Sequence, residues 1–149
     1  METCETIFME PSSSEHIVYK IKTGEWNDVL QGICCIKNNT ILIDYTYFKY
    51  FGSNDTYELI INLCCSQIDH YLISNPSVVV HLNLKSLTIV EIDKHKRFIQ
   101  NIALILSTKY PNKLQKCYIY NAPFVFSQLL NIICMFIDKE TQSKFVLVK

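Results

Sequence analysis

From residue 55 onward, long segments of helical period alternate with short apolar runs, and few folds accommodate that order. The first helical segment starts near Asp55, which has capping-box spacing to Glu58, and sets Tyr57, Ile60, Ile61, Cys64, Ile68, Tyr71 and Leu72 on one face. Asn75-Pro76 ends it, because a residue before proline is pushed out of helical geometry. The run Val78-Val79-Val80-His81-Leu82 is apolar on both faces, as expected of a central strand covered by helices on each side. A second helix is expected from about Thr88 to Lys109, burying Ile92, Ile99, Ile102, Ala103 and Leu106, with Tyr110-Pro111 as its stop. A strand from Leu114 to Tyr120 leads into Asn121-Ala122-Pro123, where proline suits a helix start. A third helix covers about Phe124 to Ile137, and Phe145 to Val148 forms a last strand. This alternation, with crossovers longer than about a dozen residues, predicts an α/β fold with a mostly parallel sheet.

The earlier part of the chain is less regular. His16 to Lys22 and roughly Leu30 to Lys37 read as strands around a turn at Gly24, and Thr40 to Tyr45 as a third after the Asn38-Asn39 turn. Residues 1–15, with Glu10-Pro11-Ser12-Ser13-Ser14, read as a loosely ordered start, and residues 16–149 as a single domain.

Hydrophobic residues make up 49% of the chain and charged residues only 19%, which leaves apolar surface after a core is built. A ligand cavity or a membrane-touching face would use that surplus; a coding bias towards Ile, Tyr, Lys and Asn explains it equally well. The formal net charge is zero, so no nucleic-acid partner is expected, and Lys94-His95-Lys96-Arg97 reads as a solvated helix face. The cysteine count of seven is odd and lacks C-x-x-C spacing, and no signal peptide is evident. Reduced thiols packed as small hydrophobes in the cytoplasm are therefore expected. No apolar run reaches the roughly 18–20 residues that span a bilayer.

The motifs of catalysis are missing. Gly24, Gly32 and Gly52 are too scattered for a phosphate loop, and Gly-x-Ser-x-Gly does not occur. His16, His70, His81 and His95 show no metal-ligand spacing, and a Cys-His pair would need a tertiary contact. The chain is expected to be no enzyme and to use neither metal nor cofactor.

Phe124 to Ile137 is the most unusual segment. Phe124, Phe126, Leu129, Leu130, Ile133, Phe136 and Ile137 belong to an apolar surface covering most of the circumference, and Ser127, Asn131, Cys134 and Asp138 form a narrow polar stripe. Such a helix is buried on nearly all sides, or it is a lid with one face over a cavity and the other open to a membrane. Pattern alone favours burial. Beyond it, Thr141 and Lys144 fall on one side of a continued turn, where a hydroxyl and an ammonium can both donate to a phosphate.

Tyr110-Pro111, Asn121-Ala122-Pro123-Phe124-x-Phe126, Phe136-Ile137-Asp138 and Thr141-x-x-Lys144-Phe145 together resemble the signature of CRAL-TRIO domains of the phosphatidylinositol/phosphatidylcholine transfer type. Their spacing holds without a gap over about forty residues. The likeness extends over residues 76–149, and over residues 16–75 only by element order. It implies a sheet flooring a hydrophobic lipid cavity, lined by Val78, Val80 and Leu82 and closed by the helix Phe124 to Ile137 as a gate. The resemblance places Thr141, Lys144 and Asn112 at the lipid headgroup. Lys113, Lys116 and Lys139 are further candidates by proximity in sequence.

Departures from that pattern narrow the ligand. Val78 and Val80 stand where choline-lipid binders carry hydroxyls, Asn112 where the family has a glutamate, Asn83 where it has an aspartate, and Ser86 where it has a glycine. The resemblance thus implies a monomeric cytoplasmic protein, touching membranes transiently, that exchanges phosphatidylinositol or its phosphorylated forms and is poor for phosphatidylcholine. Two other readings stand beside it: a carrier of a retinoid, tocopherol or sterol, and a lipid-free protein-interaction module.

Overall fold

The computed structural model describes residues 7–8 and 14–149. Most of the segment expected to be a loose start therefore lies outside the described residues. In chain order the elements are α1 (Ser14–Lys22), α2 (Trp26–Ile33), β1 (Cys34–Lys37), β2 (Thr40–Asp44), α3 (Tyr45–Phe51), α4 (Tyr57–Ser74), β3 (Val78–Asn83), α5 (Ile89–Lys94), α6 (Lys96–Lys109), β4 (Leu114–Tyr120), α7 (Phe126–Ile133), α8 (Lys139–Gln142) and β5 (Phe145–Leu147).

The expected mostly parallel sheet is present: five strands lie in the order β1-β2-β3-β4-β5. The β1–β2 pair is antiparallel, and the other three pairs are parallel. Asn38 and Asn39 both take positive φ (52° and 59°), as a two-residue hairpin turn between Lys37 and Thr40 requires.

Each parallel crossover steps to the next strand in the same direction. Crossovers of one hand then put their helices on one face. Ile41, Val78, Val80, Leu82, Cys117, Ile119 and Phe145 pack there against helical side chains. The opposite face carries Leu42, Tyr118 and Tyr120, and among the described residues Phe8, Val148 and the helical Ile7 pack with them. Val79 and His81 are nonetheless only partly exposed on that second face.

The structure corrects other boundaries. His16 to Lys22 belongs to helix α1, where Ile17 is buried and Ile21, four residues on, packs against the same core. Gly24 ends that helix at φ 79°, with Glu25 N–H donating to Lys20 O and Gly24 N–H to Ile21 O, a Schellman closure. Of Leu30 to Lys37 only Cys34–Lys37 is strand. Gly32 sits where a Cβ would fall 2.4 Å from the Tyr47 ring, so its lack of a side chain sets the α2–α3 approach. The segment Thr40 to Tyr45 ends as a strand at Asp44, whose carboxylate caps the unforeseen α3 by accepting from Thr46 N–H.

Helix α4 starts at Tyr57, with Thr56 and not Asp55 as its N-cap. Among the described residues a capping box forms instead at Thr88–Glu91, at the start of α5. The expected helix Thr88 to Lys109 breaks at His95, which is buried while Lys94, Lys96 and Arg97 are exposed. His95 Nδ1 lies 2.5 Å from the Tyr57 hydroxyl among Phe48 and Phe98, and burial, followed by the Lys94 charge, lowers its pKa.

At the C-terminal ends of the parallel strands, Asn83 donates to Asp44 (3.2 Å) and accepts from Asn121 (2.9 Å) and from Lys85 N–H. An aspartate at 83 would confront the buried Asp44 carboxyl, whose pKa burial already raises. Asparagine resolves that conflict.

The centre of the core is Ile41 on β2, with no exposed surface. Ile41→Ala is expected to cost about 2–5 kcal/mol by leaving a cavity, measured as a fall in the urea midpoint without a change in slope.

Candidate functional site: an apolar hollow with a polar rim

Val80, Leu82 and Ile43 lie in the middle of the sheet, yet they are only partly buried. The reason is a hollow of about 540 Å³ between the sheet and the helices. Its floor is Ile43, Val78, Val80, Leu82, Cys117 and Phe145. Ile68 of α4 and Ile102, Ala103 and Leu106 of α6 form one wall, and Ile133, Phe136 and Ile137 the other. Cys117 is a floor residue whose thiol burial pushes up to about 12, so at neutral pH it is an uncharged apolar surface rather than a nucleophile.

Polar groups gather at the rim. Ser107, Tyr110, Asn112, Lys113, Asp138 and Thr141 all border the hollow, and Asn112, Lys113 and Asp138 are exposed. The Tyr110-Pro111-Asn112-Lys113 turn is closed by Lys113 N–H donating to Tyr110 O at 3.3 Å. Asn112 holds φ 60° at its third position, which suits asparagine better than the glutamate of the family pattern. The turn is tied down by the Tyr110 hydroxyl, which donates to Asp69 (2.6 Å) and approaches Cys65 O (3.0 Å). Desolvation first, and Asp69 second, raise the Tyr110 pKa, so the phenol remains a donor.

On the opposite rim Asp138 caps α8, accepting from Thr141 N–H at 2.7 Å. That bond first, then the Thr141 hydroxyl and the charge of Lys144, hold the Asp138 carboxyl below its ordinary value. Lys144 is half-buried and adjoins this group but does not line the hollow; its backbone joins α8 to the sheet through Lys144 N–H to Thr141 O and Cys117 N–H to Lys144 O.

The structure thus brings Asn112 and Thr141 to the rim, with Lys144 behind Asp138. Val78, Val80 and Leu82 lie on the floor. The helix expected from Phe124 to Ile137 is regular only over Phe126–Ile133, with turns on both sides. Ile133, Phe136 and Ile137 face the hollow, whereas Phe126 and Leu129 pack into the neighbouring core with Val125 and Ile119. Leu130 is partly buried outside the lining, and Phe124 is 97% exposed. Ser107, near the end of α6, carries no sequence signal because a polar residue there looks like helix surface, whereas Tyr110, the C-cap of α6, belongs to the Tyr110-Pro111 stop quoted above. Lys113 borders the hollow, Lys139 is exposed, and Lys116 is on the other face of β4.

Among the described residues, no group of His, Cys, Asp or Glu could hold a metal, and no helix is long and apolar enough to cross a membrane.

The CRAL/TRIO domain model matches residues 49–149, more than half of the chain and all of the hollow except Ile43. The chain belongs to the CRAL/TRIO domain family. This CRAL/TRIO chain is therefore a member of a lipid-binding family. It is distantly similar to the SEC14 cytosolic factor of Yarrowia lipolytica, with 31% identity over 80 residues (54% of this chain, 16% of the relative). Against the SEC14 cytosolic factor of Candida glabrata, identity is 28% over 95 residues (62% of this chain, 31% of the relative). The crystal structure of Sfh5 shares the fold, with a TM-score of 0.68 at 19% identity over 81% of this chain and 49% of Sfh5. The chain spans less than a third of the length of these two curated relatives.

The Asp138 cap has a pH signature. Its folded pKa lies below the unfolded value near 3.8, so the cap's contribution is complete above that value and is lost as pH falls through the folded pKa. The Thr141 amide resonance is expected to titrate below pH 3.8, and Asp138→Ala to abolish that titration.

Proposed function

We propose that this CRAL/TRIO domain binds phosphatidylinositol or its phosphorylated forms and exchanges them between membranes without catalysing a reaction. The observation that carries this reading is the pairing of an apolar hollow with a polar rim. Hydrocarbon in the hollow is removed from water at about 0.8 kcal/mol per methylene, which offsets the loss of the bilayer's own apolar environment. Bilayer and hollow are similar solvents for a chain, so the rim sets the preference among lipids.

The rim favours phosphate and sugar hydroxyls. Lys113, Lys144 and the Thr141 hydroxyl are donors, and Asn112 offers both donor and acceptor atoms. Val78 and Val80 present no hydroxyl on the floor, which disfavours a choline phosphate held there. In this proposal Thr141, Lys144 and Asn112 hold the headgroup, and the segment through Ile133, Phe136 and Ile137 is the gate. Met135, 76% exposed beside those residues, and Phe124 give that segment an outer apolar surface for transient membrane contact. The domain acts as a monomer in the cytoplasm.

One observation favours a second reading. Asp138 keeps a negative charge on the rim and already engages the Thr141 amide, so a neutral ligand of retinoid, tocopherol or sterol type meets less repulsion there. A lipid-free interaction module fits less well, because the domain's own side chains leave the hollow open.

Lys144→Ala is expected to lower phosphatidylinositol transfer between vesicles about tenfold or more, the worth of one hydrogen bond to a charged group. Circular dichroism checks that the variant is folded. Unchanged transfer by the folded variant would contradict the headgroup assignment.

A further inference from the structure

Part of the polar rim is fastened by a residue that does not face the hollow. Tyr110 belongs to the lining, but its hydroxyl is bound to Asp69 of α4, which lies outside it. At 2.6 Å this is the short contact of a hydroxyl donating to a carboxylate, about twice as strong as a bond between neutral groups. The Tyr110 bond is the main cause that holds the Asp69 carboxyl below its ordinary value, so the acceptor is ionised at neutral pH. Lys109 also reaches Asp69, at 3.5 Å, but both side chains are about half exposed and such a pair adds little. The phenol carries the clamp.

Tyr110 is also the first residue of the turn that bears Asn112 and Lys113. Pro111 fixes its own φ near about −65° and Asn112 holds φ 60°, so the turn moves as a stiff piece whose direction is set at its ends. Its far end is pinned to the floor, where Lys113 O accepts from Val78 N–H at 2.7 Å. Its near end leaves α6 through Tyr110 N–H to Leu106 O, in the last turn of a helix, where fraying begins. The phenol ties that end across to α4, at Asp69 and Cys65 O. Without the hydroxyl the turn is hinged at Lys113, and the exposed Asn112 and Lys113 side chains lose their fixed direction.

We infer that the Tyr110 hydroxyl and the Asp69 carboxylate are positioning groups for headgroup recognition, acting on the ligand through Asn112 and Lys113. This rests on the lipid-binding reading above. Tyr110→Phe keeps the ring in the lining, so it separates this role from contact with hydrocarbon.

A double-mutant cycle tests the inference, read as the amount of phosphatidylinositol that the full chain takes up from vesicles at equilibrium. Tyr110→Phe and Asp69→Ala are each expected to lower uptake about fivefold, and Asp69→Glu, which keeps a charged acceptor, by less than about twofold. Asp69 is exposed, so Asp69→Ala reports even where loss of the phenol unsettles the fold. The second background combines Lys113→Ala with Asn112→Gly, which suits the left-handed turn position. There Tyr110→Phe is expected to lower uptake by less than about twofold, because the groups it positions are gone. Thermal melting checks that each variant is folded. A fivefold fall in both backgrounds places the effect in the fold at large and overturns the positioning inference alone, as does unchanged uptake by the folded single variants. No phosphatidylinositol on the unaltered chain overturns the lipid reading with it.

Discussion

The structure depends on how one face of a five-stranded sheet is covered. Because β2 through β5 follow one another in space as in sequence, their helices crowd onto a single face. Those helices cannot tile it completely. α4 and α6 cover Val78 and the β1–β2 side, while α7 packs over Ile119 and Val125. The strip between them, from Leu82 to Phe145, remains under an open space. An apolar floor left uncovered is costly in water. In the proposed function a hydrocarbon guest restores what the missing helix contacts would have supplied.

In the proposed function the rim supplies the selectivity. Two turns frame it, Tyr110 to Lys113 and Asp138 to Thr141, and each is held by its own hydrogen bonds: Tyr110 to Asp69, and Asp138 to the Thr141 amide. Backbone demands choose some of these residues. Asn112 occupies a left-handed position, and Asn83 relieves a buried carboxyl at Asp44. Departures from the family pattern at these two sites thus have local physical reasons, apart from any effect on a ligand. Val78 and Val80 have no such reason, and both line the hollow.

The second half of the fold was legible in the sequence because its signals were long and well punctuated. Asn75-Pro76 and Tyr110-Pro111 stop helices, and the α4 and α6 segments have enough turns for their period to show. The first half was not. His16 to Lys22 is β-branched and short, so alternation and helical period look alike there; burial of Ile17 with Ile21, four residues on, decides for helix. Tyr45 to Phe51 is too aromatic to declare itself a helix by propensity, and its cap, Asp44, was assigned to the end of a strand. Within the site, Val78, Val80 and Leu82 were expected on the floor from the family resemblance, and Ile133, Phe136 and Ile137 were named with the rest of their helix without a direction. Which of Phe124, Phe126, Leu129 and Leu130 faced elsewhere could not be read, because an apolar surface around most of a helix carries no direction. The break at His95 was hidden as well: a buried histidine amid three exposed basic residues looks like part of a charged run.

The central claim is that the hollow is a site for an inositol lipid. Purified protein extracted into organic solvent and analysed by mass spectrometry tests it most directly. An inositol phospholipid at about one per chain is the predicted result. A neutral lipid in its place, or an extract without lipid, would contradict the account.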